Sequence, residues 1–130
     1  MFVLDTNTLI YYFKGMGNVA DNLLRHPPRD IAIPSIVLYE LEVGLAKSKE
    51  PEKRRAQLET LVNLVTVLPL HAREARSAAM IRADLEAAGA PIGPMDTLIA
   101  GTTLANQGTL VTHNTKEFSR VNGLRLTDWF

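Results

Sequence analysis

The sequence predicts an α/β fold with a parallel sheet covered on both sides. Three observations predict it. Short apolar runs of strand length alternate with longer segments of helical period along the whole chain. Pro and Gly sit at the boundaries between them, and repeats, low-complexity tracts and interdomain linkers are all absent. Alternation of this kind favours parallel pairing, because each crossover to the next strand needs a connection of helix length.

Residues 2–4, Phe2-Val3-Leu4, read as a short buried strand, followed by a helix over 8–13 that Gly15 and Gly17 terminate. Asn18 caps a second helix, 19–26, which Pro27-Pro28 closes before a strand over 31–33. Pro34 and Ser35 open a helix over 36–47 that is apolar on most faces and therefore expected to be buried. Glu40 and Gly44 stand four residues apart in it and share one face. Pro51 starts a helix over 52–64, with Leu58, Leu61, Val62 and Val65 as its apolar stripe. A strand over 66–70 and a long helix over 71–88 follow, the helix ended by Gly89. Its Ala-rich side, Ala75, Ala78, Ala79, Ala83 and Ala87, is expected to allow close packing. Asp96 heads a helix over 97–106 that Gly108 stops; a strand over 109–112, a helical turn over 115–119 and a last strand over 124–126 complete the reading.

At 130 residues, 1–130 is expected to form one domain, and 46% hydrophobic content is that of a globular chain. Fourteen basic and fourteen acidic residues cancel, so the chain lacks the global basic signature of a tight, non-specific nucleic-acid binder. A local basic rim remains open to it: Lys47, Lys49, Lys53, Arg54 and Arg55 cluster after Glu40, and Lys116 and Arg120 lie further on. The absence of cysteine excludes disulfides, thiolate metal sites and cysteine nucleophiles, and is compatible with a cytoplasmic location. Asp5 interrupts the first apolar run too early for a signal peptide, and no stretch approaches the length of a membrane span.

Chemistry is concentrated in three acids at the edges of separate elements: Asp5, Glu40 and Asp96. A carboxylate among apolar residues costs desolvation energy unless something compensates it. Two carboxylates ~5 Å apart repel by about 3 kcal/mol at an effective dielectric near ~20, and a third adds to this. A hard divalent cation, Mg²⁺ or Mn²⁺, is the natural compensation. Each acid also has a plainer reading: Asp5-Thr6-Asn7 fits a helix cap, Asp96 after Pro94 fits the first turn of a helix, and Glu40 fits a solvated helix face. Parallel sheets bind ligands beyond the carboxyl ends of their strands, and Asp5 and His113-Asn114 both sit at such ends. Asn114 is a further oxygen donor there or simply the cap of the turn that follows, and Glu117 lies one turn beyond it. His26, His71 and His113 are not spaced as a metal cluster; only His113 lies near the crevice, as a surface or substrate-contacting residue.

Leu4-Asp5-Thr6-Asn7, Glu40-Leu41 with Gly44, Pro91-Ile92-Gly93-Pro94-Met95-Asp96 with Leu98-Ile99-Ala100, and the run from Leu110 through His113-Asn114 to Glu117-Phe118 together resemble the PIN-domain ribonucleases, and among them the VapC toxins of bacterial toxin–antitoxin pairs. The likeness runs over nearly the whole chain, to Gly123-Leu124-Arg125-Leu126 and Trp129. It implies a PIN-like three-layer sandwich and Mg²⁺- or Mn²⁺-dependent cleavage of RNA, a transfer RNA being one substrate it suggests. It further implies a homodimer and inhibition by a small cognate antitoxin. By the same resemblance Asp5, Glu40 and Asp96 are the metal-binding and catalytic acids, and Thr6, Asn114 and Glu117 are supporting positions. Two other classes fit less well. A haloacid dehalogenase-type phosphatase needs a second Asp where Asn7 stands, and a non-cutting binding module gains nothing from three repelling acids. Apolar residues within 19–24 and 58–65 are expected to serve dimerisation and the docking of a partner helix.

Overall fold

Every strand of the central sheet runs in the same direction. The computed structural model describes residues 1–130. In chain order the elements are β1 (Phe2–Leu4), α1 (Thr6–Lys14), α2 (Val19–Leu24), a 3₁₀ turn (Pro28–Asp30), β2 (Ile31–Pro34), α3 (Ser35–Ala46), α4 (Glu52–Leu64), β3 (Thr66–Leu68), α5 (Ala72–Ala87), α6 (Pro94–Ala105), β4 (Thr109–Val111), α7 (Thr115–Phe118) and β5 (Arg125–Thr127). The sheet order is β3-β2-β1-β4-β5, all parallel and flanked by helices.

β1 is the central strand. Phe2 stands opposite Ile31 of β2 on one side and opposite Thr109 of β4 on the other. The chain lays β2 and β3 to one side of β1, then returns to lay β4 and β5 on the other. The winding therefore reverses between β1 and β4, and it is beyond the carboxyl ends of strands at such a reversal that open α/β sheets form a crevice. Val3, Leu4, Ile31, Ala32, Ile33, Leu110 and Val111 are fully or almost fully buried, as central parallel strands covered on both faces require. Leu9, Val37, Ile99, Ala100 and Phe118 pack against them from the helices.

Two helices begin two or three residues earlier than the sequence suggests. α1 starts at Thr6, with Asp5 in extended conformation as its N-cap, and Gly15 in the left-handed region ends it. α6 starts at Pro94 in the first helical position, which puts Asp96 inside its first turn. The third strand stops at Leu68, and the last extends to Thr127.

The long helix α5 does not use its alanines as the sequence suggests. Its buried stripe is Glu74, Ala78, Ile81 and Leu85, whereas Ala75, Ala79, Ala83 and Ala87 face outward. The branched residues decide the face, because burying Ile and Leu gains more than burying Ala. Ala78 alone makes the close approach, against Gly101 of α6, where an added Cβ would lie 2.5 Å from the Ala78 Cβ and 2.6 Å from its backbone. Glu74 is buried there but satisfied: its carboxylate accepts from the His71 N–H at 3.1 Å, from Arg73 and from Asn106. No helix is long and apolar enough to cross a membrane.

Candidate active site

The crevice beyond β1 and β4 gathers carboxylates from four elements. Asp5 is the first residue past β1, and its N–H extends the sheet by donating to the Val111 carbonyl at 3.2 Å. Its side chain turns into α1, where Oδ1 accepts the Thr8 N–H at 2.9 Å. The residue is 4% exposed. Burial pushes its carboxyl above the ordinary value, the Thr112 and Thr8 hydroxyls and the Thr8 N–H hold it back, and Asp128 pushes it further up.

Glu40 reaches the same region from α3. Its Oε1 accepts the Thr6 hydroxyl at 2.6 Å, so the residue next to Asp5 ties the two acids together. Glu117 comes from α7, and its Oε2 accepts from Asn114 Nδ2 at 2.9 Å; the Asn114 N–H in turn donates to the Thr112 hydroxyl. Asp96, half-buried in the first turn of α6, stands among them. Its carboxyl is pushed up to about 6, first by burial and then by the negative charges of Glu117, Asp5 and Glu40.

Neutral groups supply every hydrogen bond to Asp5, Glu40 and Glu117, and none of the ion pairs in the protein involves them or Asp96. The site therefore holds an excess of negative charge that its own side chains leave uncompensated. No three of its carboxylate or imidazole groups are drawn together tightly enough to form a closed ligand set. An open arrangement of oxygen donors suits a small hard cation that keeps several waters and takes few protein ligands, whereas it does not suit a structural zinc.

Thr6, Asn114 and Glu117 thus lie where the sequence suggested, but one acid of this region was missed. Asp128 follows β5 as Asp5 follows β1, and ending the last strand at 126 hid the equivalence; its carboxylate pairs with His113 at 2.8 Å. His26 lies stacked on Trp129 with ring centroids 5.2 Å apart, and His71 begins α5, so neither joins the crevice.

A groove of about 850 Å³ opens beside Glu40 between α1, α3 and α4. Ile10, Leu41 and Leu58 are among its apolar lining, and its charged lining is mixed, Lys14, Lys53 and Arg54 with Glu50 and Glu52. Gly44 lines it next to Glu40, and a Cβ at this position would meet nothing within 4 Å, so close helix packing is not its purpose. Gly44→Ala is accordingly expected to raise stability by about 1 kcal/mol through helix propensity alone, read as a higher urea midpoint. Gly44→Leu should fill the groove beside Glu40 and reduce activity while leaving the melting temperature close to the parent's.

The shifted acid sets a pH dependence. In the folded, metal-free protein Asp96 holds its proton up to about 6, against an ordinary 3.8, so between these values the folded state binds more protons than the unfolded one. Stability in a chelating buffer should therefore fall as pH rises through that window and level off above it. Urea unfolding at pH about 4, 5, 6 and 7 checks the sign, and Asp96→Asn should flatten the profile.

A parallel sheet that reverses at β1 and β4, with uncompensated carboxylates across the reversal, defines an acidic-site α/β domain suited to a cation. Comparison with known proteins places it more closely. The PIN domain family model matches residues 2–124. The chain is 38% identical to the tRNA(fMet)-specific endonuclease VapC of Shigella flexneri, over 98% of this chain and 97% of that one. Among solved structures, DNA-bound VapBC from Salmonella typhimurium matches with a TM-score of 0.92 at 36% identity, covering 99% of this chain and 98% of the other. VapBC2 from Rickettsia felis, bound to a DNA fragment from its promoter, matches with a TM-score of 0.89 at 34% identity over 99% and 98%. The chain belongs to the PIN-domain family, among the VapC proteins.

Proposed function

We propose that this chain is a metal-dependent endoribonuclease and the toxin component of a toxin–antitoxin pair, with Asp5, Glu40 and Asp96 as its catalytic acids. The observation that carries the chemistry is the set of carboxylates facing one another across the sheet reversal without a basic partner. Likeness to relatives named as ribonucleases and as a tRNA(fMet)-specific endonuclease supports RNA as the substrate and initiator transfer RNA as the first to test. Mg²⁺ or Mn²⁺ would be held by Asp5 and Asp96, with Glu40 as a further ligand or as the base that orients water. When bound, such an ion activates water and neutralises charge developing on a phosphoryl oxygen.

The chain's own residues do the rest. Thr6 fixes the Glu40 carboxylate by donating to it, Asn114 does the same for Glu117, and the α1 cap holds Asp5 in one orientation. The Asp96 carboxyl, pushed up to about 6 by burial and by the charges of Glu117, Asp5 and Glu40, would be relieved of that repulsion by a cation bound among them. The likeness to VapBC structures supports an antitoxin partner, and the groove beside Glu40 is the surface we assign to it, since occupation there closes one approach to the acids. Of the two apolar segments expected to dock partners, Val19 and Leu61 are spent in the core, Leu58 is buried beneath the floor of that groove, and Leu24 and Leu64 remain largely exposed. A homodimer and a cytoplasmic location complete the reading.

The test is incubation of the purified, antitoxin-free protein with total RNA and with an initiator transfer RNA transcript, with Mg²⁺ or with excess EDTA, followed by mapping of the new ends. Discrete cleavage in Mg²⁺ that EDTA abolishes is expected. Full cleavage in EDTA with metal absence verified would refute the metal-dependent mechanism, and intact RNA under both conditions would refute the ribonuclease reading.

A further inference from the structure

Between Thr112, which bonds to Asp5, and Asn114, which bonds to Glu117, the chain places a residue that belongs to an aromatic cluster with no part in the proposed hydrolysis. His113 follows Thr112 at the end of β4. Its imidazole lies face to face with the ring of Phe130, with centroids 4.3 Å apart and planes 23° from parallel. Tyr11 meets both edge-on, at 5.9 Å and 4.9 Å. His113 Nδ1 is 2.8 Å from Asp128 Oδ2, and the other oxygen of that carboxylate accepts the Phe130 N–H at 2.9 Å.

Phe130 is anchored in its turn. Its carbonyl accepts from the N–H of Asn18 at 2.7 Å and from Asn18 Nδ2 at 3.1 Å. Gly17, at φ +62°, lets the segment approach so closely that a Cβ there would lie 2.7 Å from the Phe130 carbonyl and 2.9 Å from its ring. A stacked ring on one side and a carboxylate at Nδ1 thus hold the imidazole in a single orientation, yet its side chain remains 47% exposed. A flat ring whose rotational freedom is already lost can receive another flat ring at little entropic cost.

Its place in the fold decides what that ring is. On one side of His113, Thr112 adjoins Asp5; on the other, Asn114 holds Glu117. Asp128 links His113 to the surroundings of Asp5. A strand of RNA whose phosphate reached the carboxylates would carry its neighbouring bases past this ring, and unpaired bases stack on aromatic and imidazole faces whatever their identity. We propose that His113, backed by Phe130 and held by Asp128, is a stacking platform for an unpaired base next to the cleaved phosphate. The inference rests on the ribonuclease reading above and assigns His113 a substrate-positioning role distinct from the acids.

The test uses His113→Ala and His113→Tyr, each in the otherwise unaltered protein for kinetics and in Asp96→Asn protein for binding, with an initiator transfer RNA transcript as the probe in Mg²⁺. His113→Ala should raise KM and Kd about tenfold, the size of one lost stacking contact, with kcat within about twofold of the parent. His113→Tyr should restore both, since it returns a flat ring without the imidazole. A His113→Ala protein that binds and cuts as the parent does overturns the proposal. So does a Tyr variant as weak as the Ala one at an unchanged melting temperature, which would assign the loss to the Asp128 contact. A parent that neither binds nor cuts RNA overturns the functional reading and this one with it, whereas a cutting parent with an indifferent His113→Ala overturns this one alone.

Discussion

Asp96→Asn and Asp5→Asn should each reduce RNA cleavage about a hundredfold or more while the protein stays folded. A bound divalent ion contributes several kcal/mol of charge stabilisation, and each ~1.4 kcal/mol is a factor of ten in rate. Asparagine keeps the shape of the side chain and loses its charge. At position 5 it also keeps the helix cap, because Asn accepts the N3 amide as Asp does, so the Thr8 contact at 2.9 Å need not be lost. At position 96 it removes the charge that Glu117, Asp5 and Glu40 oppose, and the metal-free protein should melt at the same temperature or higher. Cleavage assays and thermal melts on the same preparations separate the outcomes. Parent-like turnover in either variant would reduce that residue to a helix-terminus role.

Gly101→Ala should lower stability by about 3 kcal/mol, against a helix propensity that by itself favours the change by about 1. The added methyl would stand 2.5 Å from the Ala78 Cβ and 2.6 Å from the Ala78 Cα and N. The Cα and N are backbone atoms of a second helix, and the Cβ is fixed to them. No side-chain rotation relieves the contact, so α5 and α6 must separate along their shared face. The same substitution at Gly44, which faces open space, should act in the opposite direction. Urea midpoints of the two variants side by side make the comparison; a Gly101→Ala protein as stable as the parent would mean that the helices slide apart at no cost.

The convergence of the acids was partly legible because parallel sheets gather polar residues beyond the carboxyl ends of their strands, where Asp5 and Asn114 stand; Asp96 heads α6, which follows α5 rather than a strand, so its place in the crevice was not given by that rule. The plainer readings of Asp5 and Asp96 describe their local placement correctly. Asp5 caps α1 and Asp96 sits in the first turn of α6, so each carboxylate is placed by its helix and then faces the others. The missed features have local causes. A run of alanines carries no strong preference for one face, so the buried side of α5 followed Ile81 and Leu85. Asp128 was overlooked because β5 is three residues long with one exposed and two half-buried positions, too weak a pattern to show where it stops. The 3₁₀ turn at Pro28–Asp30 was concealed by two prolines that read simply as a helix stop.

The central position of β1 has a consequence for how the protein comes into being. Its two neighbours are drawn from opposite parts of the chain, Ile31 soon after it and Thr109 near the other end, so the middle of the sheet can close only after nearly the whole sequence is available. Contacts of such long range are formed late, since the entropy of closing the intervening loop must be met before they stabilise anything. During synthesis Asp5 precedes its neighbours Thr112 and Asp128, which complete its surroundings, by more than a hundred residues. A nascent chain therefore carries the acids without the crevice. Any nuclease activity that needs this crevice would have to wait for the closing of β4 against β1.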